Sequence, residues 1–198
     1  PGDDSARASR PAEGPAAGGR HRRAGRRAQP RGDAVSRPVL VLVTGSRALA
    51  GHDDARVWLR EQLAALAPAV VVTGNAQGPD DEAAAWARDA GVPLRRYDGR
   101  GRITDGAATV ARWEAPASMP SADAGRAQWA AWYLHRDRVM VRHVAARADR
   151  YTVTVLALFA PSSETEGTAF TVARAKVAGL DIVGRKFDRA PTLPGVGR

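Results

Sequence analysis

Cysteine is absent, and lysine nearly so, with only Lys176 and Lys186 among 30 basic residues. The first absence excludes disulfide scaffolds, thiolate metal centres and cysteine nucleophiles. The second, with the abundance of Arg, Ala and Gly, points to a high-GC coding bias and weakens any functional argument from basicity alone. No apolar run approaches the roughly 18 to 20 residues of a membrane span, so the chain reads as soluble and cytoplasmic, without membrane contact. His21, His52, His135 and His143 are scattered, and neither H-E-x-x-H nor a tight carboxylate cluster occurs, so no metal is expected. Also missing are G-x-x-x-x-G-K-[ST], G-x-S-x-G and, after the first apolar run, G-x-G-x-x-G. Their absence removes P-loop NTPases, the serine-hydrolase elbow and ordinary NAD binding, and no cofactor is expected.

What is present suits one domain and a tail: 198 residues, 44% hydrophobic, with a net charge of +9. Residues 1–37 hold nine arginines against Asp3, Asp4, Glu13 and Asp33, so over half of the excess charge sits in the first fifth of the chain. Prolines aside, Val35 is their only apolar side chain larger than alanine. Such a segment cannot bury enough surface to offset its ordering entropy, and a disordered basic tail is expected. Its arginine block over residues 20–37 could contact phosphate backbones weakly and without sequence preference. Residues 189–198, rich in Pro and Gly, read as a second short disordered tail.

Between the tails, over residues 38–188, strand and helix patterns alternate. Val39 to Val43 is a continuous apolar run without polar alternation, as in a strand buried on both faces. Asp53-Asp54 should supply N-terminal capping charge to a helix that ends at Pro68, and Ala69 to Thr73 should be the second strand. Pro79 to Gly91 fits a second helix, with Pro79 in its first turn and Asp80, Asp81 and Glu82 complementing its dipole. Strands follow at Pro93 to Tyr97, Val153 to Phe159 and Asp181 to Phe187, with helices from about Asp123 to Ala148 and from Gly167 to Gly179. Residues 98–122, rich in Gly, Pro, Ala and Ser, read as a loop or insertion near a ligand mouth. The series implies an α/β, Rossmann-like fold: a three-layer parallel sheet with helices on both faces.

In such a sheet, ligands lie beyond the carboxyl ends of the strands, where strand order reverses. Three segments leave strand ends and enter helices there: Thr44-Gly45-Ser46-Arg47, Gly74 to Asp80, and Ala160 to Gly167-Thr168. Each combines glycine with hydroxyl or amide side chains just before a helix N-terminus, a pairing suited to phosphate or another anion.

At these three segments the chain resembles the SLOG superfamily, most closely its YspA-like branch. The resemblance runs over about residues 39 to 184. Its Val-Thr-Gly-Ser-Arg turn is matched by Val43 to Arg47, and its T-G-G-A-x-G-A-D-x-x-A segment by Thr73, Gly74, Ala76, Gly78, Asp80 and Ala83. Relatives carry an arginine-asparagine pair with a nearby methionine on the helix before the fourth strand and a Phe-Pro-Gly-Gly…Gly-Thr loop after it, to which Arg136, Met140, Phe159, Gly167 and Thr168 correspond. The departures are Asn75 for a second glycine, Pro79 for alanine, Asp137 for asparagine, and Ala160-Pro161-Ser162-Ser163 for a Pro-Gly-Gly turn. They imply a bulkier, more acidic site. The LOG members, which hydrolyse the N-glycosidic bond of nucleoside monophosphates, carry a glutamate shortly after their Gly-Thr, where this chain has Ala169, Phe170 and Thr171.

Each candidate also has a plain structural reading. Arg47 could form a surface ion pair, Asp80 could merely cap a helix, and Gly74 and Gly78 could serve a tight turn. Arg136 could belong to a solvated arginine-rich face. The stripe Trp129, Trp132, Tyr133, Met140 reads as core or dimer packing rather than a base-stacking platform. The leading expectation is binding, whether sensing or processing, of a nucleotide or nucleotide-derived phosphorylated ligand. Its site would comprise Thr44, Gly45, Ser46, Arg47, Gly74, Asn75, Ala76, Gly78, Asp80, Arg136, Gly167 and Thr168. One alternative is a phosphoribohydrolase or related N-glycosidase using Asp80 or Glu166, and another is a DprA-like nucleic-acid-binding protein. The resemblance also implies a homodimer.

Overall fold

The structure, a computed structural model, describes residues 36–106, 108–114, 119–161 and 166–188. The expected tails at 1–37 and 189–198 lie outside these residues, apart from Ser36 and Arg37. The Arg37 guanidinium donates to the Ala148 carbonyl at 2.6 Å.

Seven strands form one sheet: β1 (Val39–Gly45), β2 (Val70–Thr73), β3 (Leu94–Tyr97), β4 (Arg102–Asp105), β5 (Ala108–Arg112), β6 (Thr152–Phe159) and β7 (Asp181–Lys186). Their order is β5-β4-β3-β2-β1-β6-β7. The five strands from β3 through β7 in that row are parallel, whereas β3–β4 and β4–β5 pair antiparallel. This corrects the expectation of a wholly parallel sheet. The two antiparallel strands come from the 98–122 segment read as a loop. Only Ile103 on β4 is buried and every residue of β5 is exposed, so the ribbon lacks the apolar run or alternation that marks a strand. A bulge between Ile103 and Thr104 further interrupts its register.

β1 shows why the parallel part forms. Val41 and Val43 point into one apolar cluster with residues of α1 (Asp53–Leu66) and α2 (Pro79–Asp89). Leu40 and Leu42 point into the other, with Val139, Met140 and Val144 of α3 (Arg126–Ala145) and Ala175 of α4 (Glu166–Val177). A strand covered on both faces needs apolar residues at both parities, as the sequence supplies. The result is three layers, α1 and α2 over one face and α3 and α4 over the other.

Helix ends follow local chemistry. The cap of α1 is His52, whose Nδ1 accepts from the Ala55 N–H at 3.4 Å, while Asp53 and Asp54 occupy the first turn. Nε2 of the same ring lies 2.7 Å from the Asp188 carbonyl, and the ring meets Phe187 edge-on. Among the described residues, no helix is long and apolar enough to cross a membrane.

Candidate functional site

The strand order reverses between β1 and β6, with β2 and β3 on one side and β7 on the other, and this switch point is where an open α/β sheet leaves a crevice. Here it is deepened by α3. Its 20 residues extend about 30 Å, longer than the eight-residue β6 it feeds, so its first turns overhang the carboxyl edge of the sheet. The cleft enclosed has a volume of about 460 Å³.

Ten of the twelve sequence-derived ligand residues line this cleft. Thr44 to Arg47 follow β1, Gly74 and Ala76 follow β2, Asp80 opens α2, Arg136 comes from α3, and Gly167 and Thr168 open α4. Asn75 lies outside it, in an adjoining hollow, and Gly78 faces a separate recess beside His52 and Pro79. Glu166 begins α4, but its side chain is outside the described residues.

Two glycines have packing reasons that the loop pattern alone did not separate from ligand approach. A methyl on Gly45 would sit 2.4 Å from Cγ of Pro79, so this glycine lets α2 close on the end of β1. A methyl on Gly74 would lie 2.7 Å from Nη2 of Arg136 and 3.1 Å from Oδ2 of Asp80, so its absence makes room for the charged floor. Asn75 takes the left-handed backbone conformation at φ 57, which asparagine tolerates better than most residues, and occupies the expected glycine position without forcing the chain elsewhere.

The floor is the most distinctive part. Arg136 is 7% exposed, contrary to the solvated-face reading, and its guanidinium binds inward. Nε and Nη2 donate to Oδ1 of Asp137 at 2.9 and 2.7 Å, and Nη1 donates to the Gly74 carbonyl at 2.5 Å. Asp80, 5% exposed, accepts the Ala76 N–H at 3.1 Å. Burial pushes the Asp80 carboxyl up to about 7 against the pull of Arg136 and the Ala76 N–H, and the nearby Asp137 adds to the rise. Burial also raises Asp137, opposed by Arg136, by the Thr171 hydroxyl and by Arg47. Two buried carboxyls therefore share one guanidinium, and near neutral pH the trio holds a proton that isolated carboxylates would have lost.

The rim has opposite character. Arg47 is exposed beside a 3-10 turn at Arg47–Leu49, where the Ser46 hydroxyl accepts the Ala48 N–H at 3.2 Å. Its guanidinium lies 5.4 Å from the Tyr133 ring centre, and that of Arg136 lies 5.1 Å from the same ring. Arg126, also exposed, adds a second rim cation.

Sequence reasoning missed the α3 wall. Arg126, Trp129, Ala130, Tyr133, Leu134, Asp137 and Met140 all line the cleft, and their spacing of three or four was the available signal. Trp132 is buried in the core as expected, whereas Trp129 and Tyr133 are half-buried and face the cleft. Among the described residues, no group of three or more His, Asp or Glu side chains is arranged to hold a metal ion.

The fold and cleft define an α/β protein with a Rossmann-like sheet and a polar crevice at its switch point. No family model matches the chain, and neither does any curated protein. Among solved structures, it is similar to DNA processing protein A (DprA) from Streptococcus pneumoniae, at 19% identity over 74% of this chain, with a TM-score of 0.49. The chain spans half the length of that protein. A likeness this distant carries neither ligand nor partner across.

Proposed function

We propose that the cleft binds a nucleotide or nucleotide-derived phosphorylated ligand, with sugar hydroxyls toward Asp80 and the phosphate at the Arg47 rim. The observation that carries this reading is the polarity of the cleft. Its floor has two carboxyls for one guanidinium and disfavours phosphate, while hydroxyl groups can donate to an ionised carboxylate there. The exposed Arg47 and the α4 N-terminus at Gly167-Thr168 favour an anion at the mouth. The SLOG resemblance falls on the same residues. A thermal-shift screen of nucleotides, nucleoside diphosphate sugars and cyclic ADP-ribose-type molecules tests the reading, since a ligand at 100 times its Kd stabilises by about 2.7 kcal/mol. No shift with any phosphorylated nucleoside, alongside a shift with unphosphorylated sugars, would overturn it.

A second reading rests on Asp80 itself. A buried carboxyl raised to about 7 beside another carboxyl can act as a general acid near neutral pH, which favours N-glycosidic hydrolysis of a nucleotide. Because no glutamate follows Gly167-Thr168 at the spacing LOG enzymes use, the expected release of adenine from AMP is slow or undetectable. Rapid release abolished by Asp80→Asn would exchange the two readings. The homodimer and the weak nucleic-acid contact through residues 20–37 are separate proposals, read respectively by sedimentation and by the salt dependence of oligonucleotide binding.

A further inference from the structure

Beside the cleft lies a second hollow of about 590 Å³, walled by Asn75, the turn from Asp98 to Arg102, Met119, and the α3 pair Trp129 and Tyr133. The two aromatic rings border both spaces and stack on each other, 5.8 Å apart and inclined by 26°. The opposite wall is rigidly built. Asp98, a buried carboxylate, accepts the N–H groups of Arg100 and Arg102 at 2.9 Å each and the Nε–H of Arg102 at 2.7 Å. The backbone carbonyls of Asp98 and Gly99 accept the indole N–H groups of Trp113 and Trp132 at 2.9 and 3.0 Å. A methyl on Gly99 would come within 3.2 Å of the Tyr133 ring, so glycine there lets the turn close on the aromatic wall.

This anchoring gives the β4–β5 ribbon a purpose that its packing alone does not. No residue of β5 is buried, and among the described residues of the excursion the buried side chains Asp98, Ile103 and Trp113 anchor it inward and hold the turn against α3. Arg102 is paired with Asp98. Arg100 is exposed and has no ion pair among the described residues. The hollow therefore offers aromatic faces, an apolar Met119 that is 47% exposed, and the exposed Arg100 guanidinium. Flat aromatic rings stack on such faces and a phosphate pairs with such a cation. The cleft alone already lies within the roughly 300 to 1,000 Å³ range of small-molecule sites, so the second hollow is not needed for a mononucleotide.

We propose that this hollow is a second subsite, and that the ligand is of dinucleotide class: two nucleoside-like halves joined through phosphate. One half would occupy the cleft and the other would lie against Trp129 and Met119 with Arg100 facing the bridging phosphates. The inference rests on the nucleotide reading of the cleft and extends it to the far side of the aromatic wall.

Calorimetry on the full chain with two probes, AMP and diadenosine 5′,5′-pyrophosphate, separates the two claims. The dinucleotide is expected to bind at least tenfold more tightly than AMP. Arg100→Glu should abolish that preference while leaving AMP affinity within about twofold, and Met119→Ala should reduce it in part. Both side chains are exposed, so unchanged melting temperatures are expected and distinguish a lost subsite from a damaged fold. Equal affinity for both probes, or equal loss of both in Arg100→Glu, overturns the subsite and leaves the cleft reading standing. Binding of neither probe removes both. A single-stranded oligonucleotide that binds more tightly than the dinucleotide and is lost equally in Arg100→Glu would assign the hollow to nucleic acid and overturn the dinucleotide.

Discussion

The floor and the rim of the cleft carry the same kinds of side chain under opposite conditions. Arg136 on the floor is buried between carboxyls and a carbonyl, so its charge is committed to holding α3 against the end of β2. Arg47 on the rim is exposed, lies against the Tyr133 ring and feels Asp137 at longer range, and among the described residues it makes no ion pair, so its charge is available to an incoming group. The lesson is that an arginine's role here follows from what desolvates it. A buried cation that neutralises fixed acids is structural first, and an exposed one at a cleft mouth is a recognition group first.

The contrast is broken most forcefully at the floor. Arg136→Met keeps the apolar stem but leaves Asp80 and Asp137 without a cation, and should cost about 3 to 5 kcal/mol of stability at neutral pH. The penalty should shrink at pH 5, where Asp80 is protonated and the raised Asp137 carboxyl carries less charge than at neutral pH. Urea denaturation at the two pH values measures it, and a loss below about 1 kcal/mol would make the floor no more structural than the rim.

Next in size is the pH dependence of the wild type. Since Asp80 in the folded chain holds its proton up to about 7, it binds a proton that the unfolded chain releases near 4. Stability contributed by this group is therefore full at acid pH and falls as pH rises from about 4 through about 7, by an amount on the order of 3 to 4 kcal/mol. Asp137 acts in the same direction. Asp80→Asn should reduce that slope, and melting curves from pH 5 to 8 with an unchanged slope would place the proton elsewhere.

At the rim the effect moves from stability to affinity. Arg47→Ala should weaken a phosphorylated ligand by roughly 10- to 150-fold, the equivalent of one charge-assisted hydrogen bond at about 1.5 to 3 kcal/mol, with the fold barely changed. Arg47→Lys should recover only part, since an ammonium cannot make the planar two-point contact. Calorimetry on the three proteins sharpens the comparison, and a large drop in melting temperature for Arg47→Ala would erase it. The smallest effect is expected from deleting residues 1–35, a cut that spares the Arg37 contact with Ala148. The melting temperature should move by no more than a degree or two, because so apolar-poor a segment contributes little burial.

The parallel core was legible because burial on both faces writes itself into β1, β2 and the 155–159 part of β6 as apolar runs. The three strand-to-helix turns were legible because glycine and hydroxyl residues punctuate them. The ribbon was not, since its anchors are the single buried Ile103 and Trp113 set among exposed residues. That Asp137 needs an arginine partner was readable, but not that Arg136 rather than Arg138 supplies it, nor that the pair is buried. In a helix that also holds Arg126, Arg138 and Arg142, nothing local distinguishes the one arginine that tertiary packing turns inward. Gly45 was read for the ligand and proves to be pressed by Pro79, a contact between residues 34 positions apart that only the closed fold creates.

The sheet ends as it does for a reason of sociability. Among the described residues neither β5 nor β7 is paired along its outer side, and an unpaired strand invites a stranger's backbone. Both strands carry charge on that invitation. Arg112 on β5 sits opposite Arg102, and β7 runs Asp181, then Arg185 and Lys186, most of it exposed. The bulge between Ile103 and Thr104 adds local twist close to the first edge, spoiling the flatness that docking by another strand requires. The same few residues that complete the sheet thus work against its extension by a neighbour's strand.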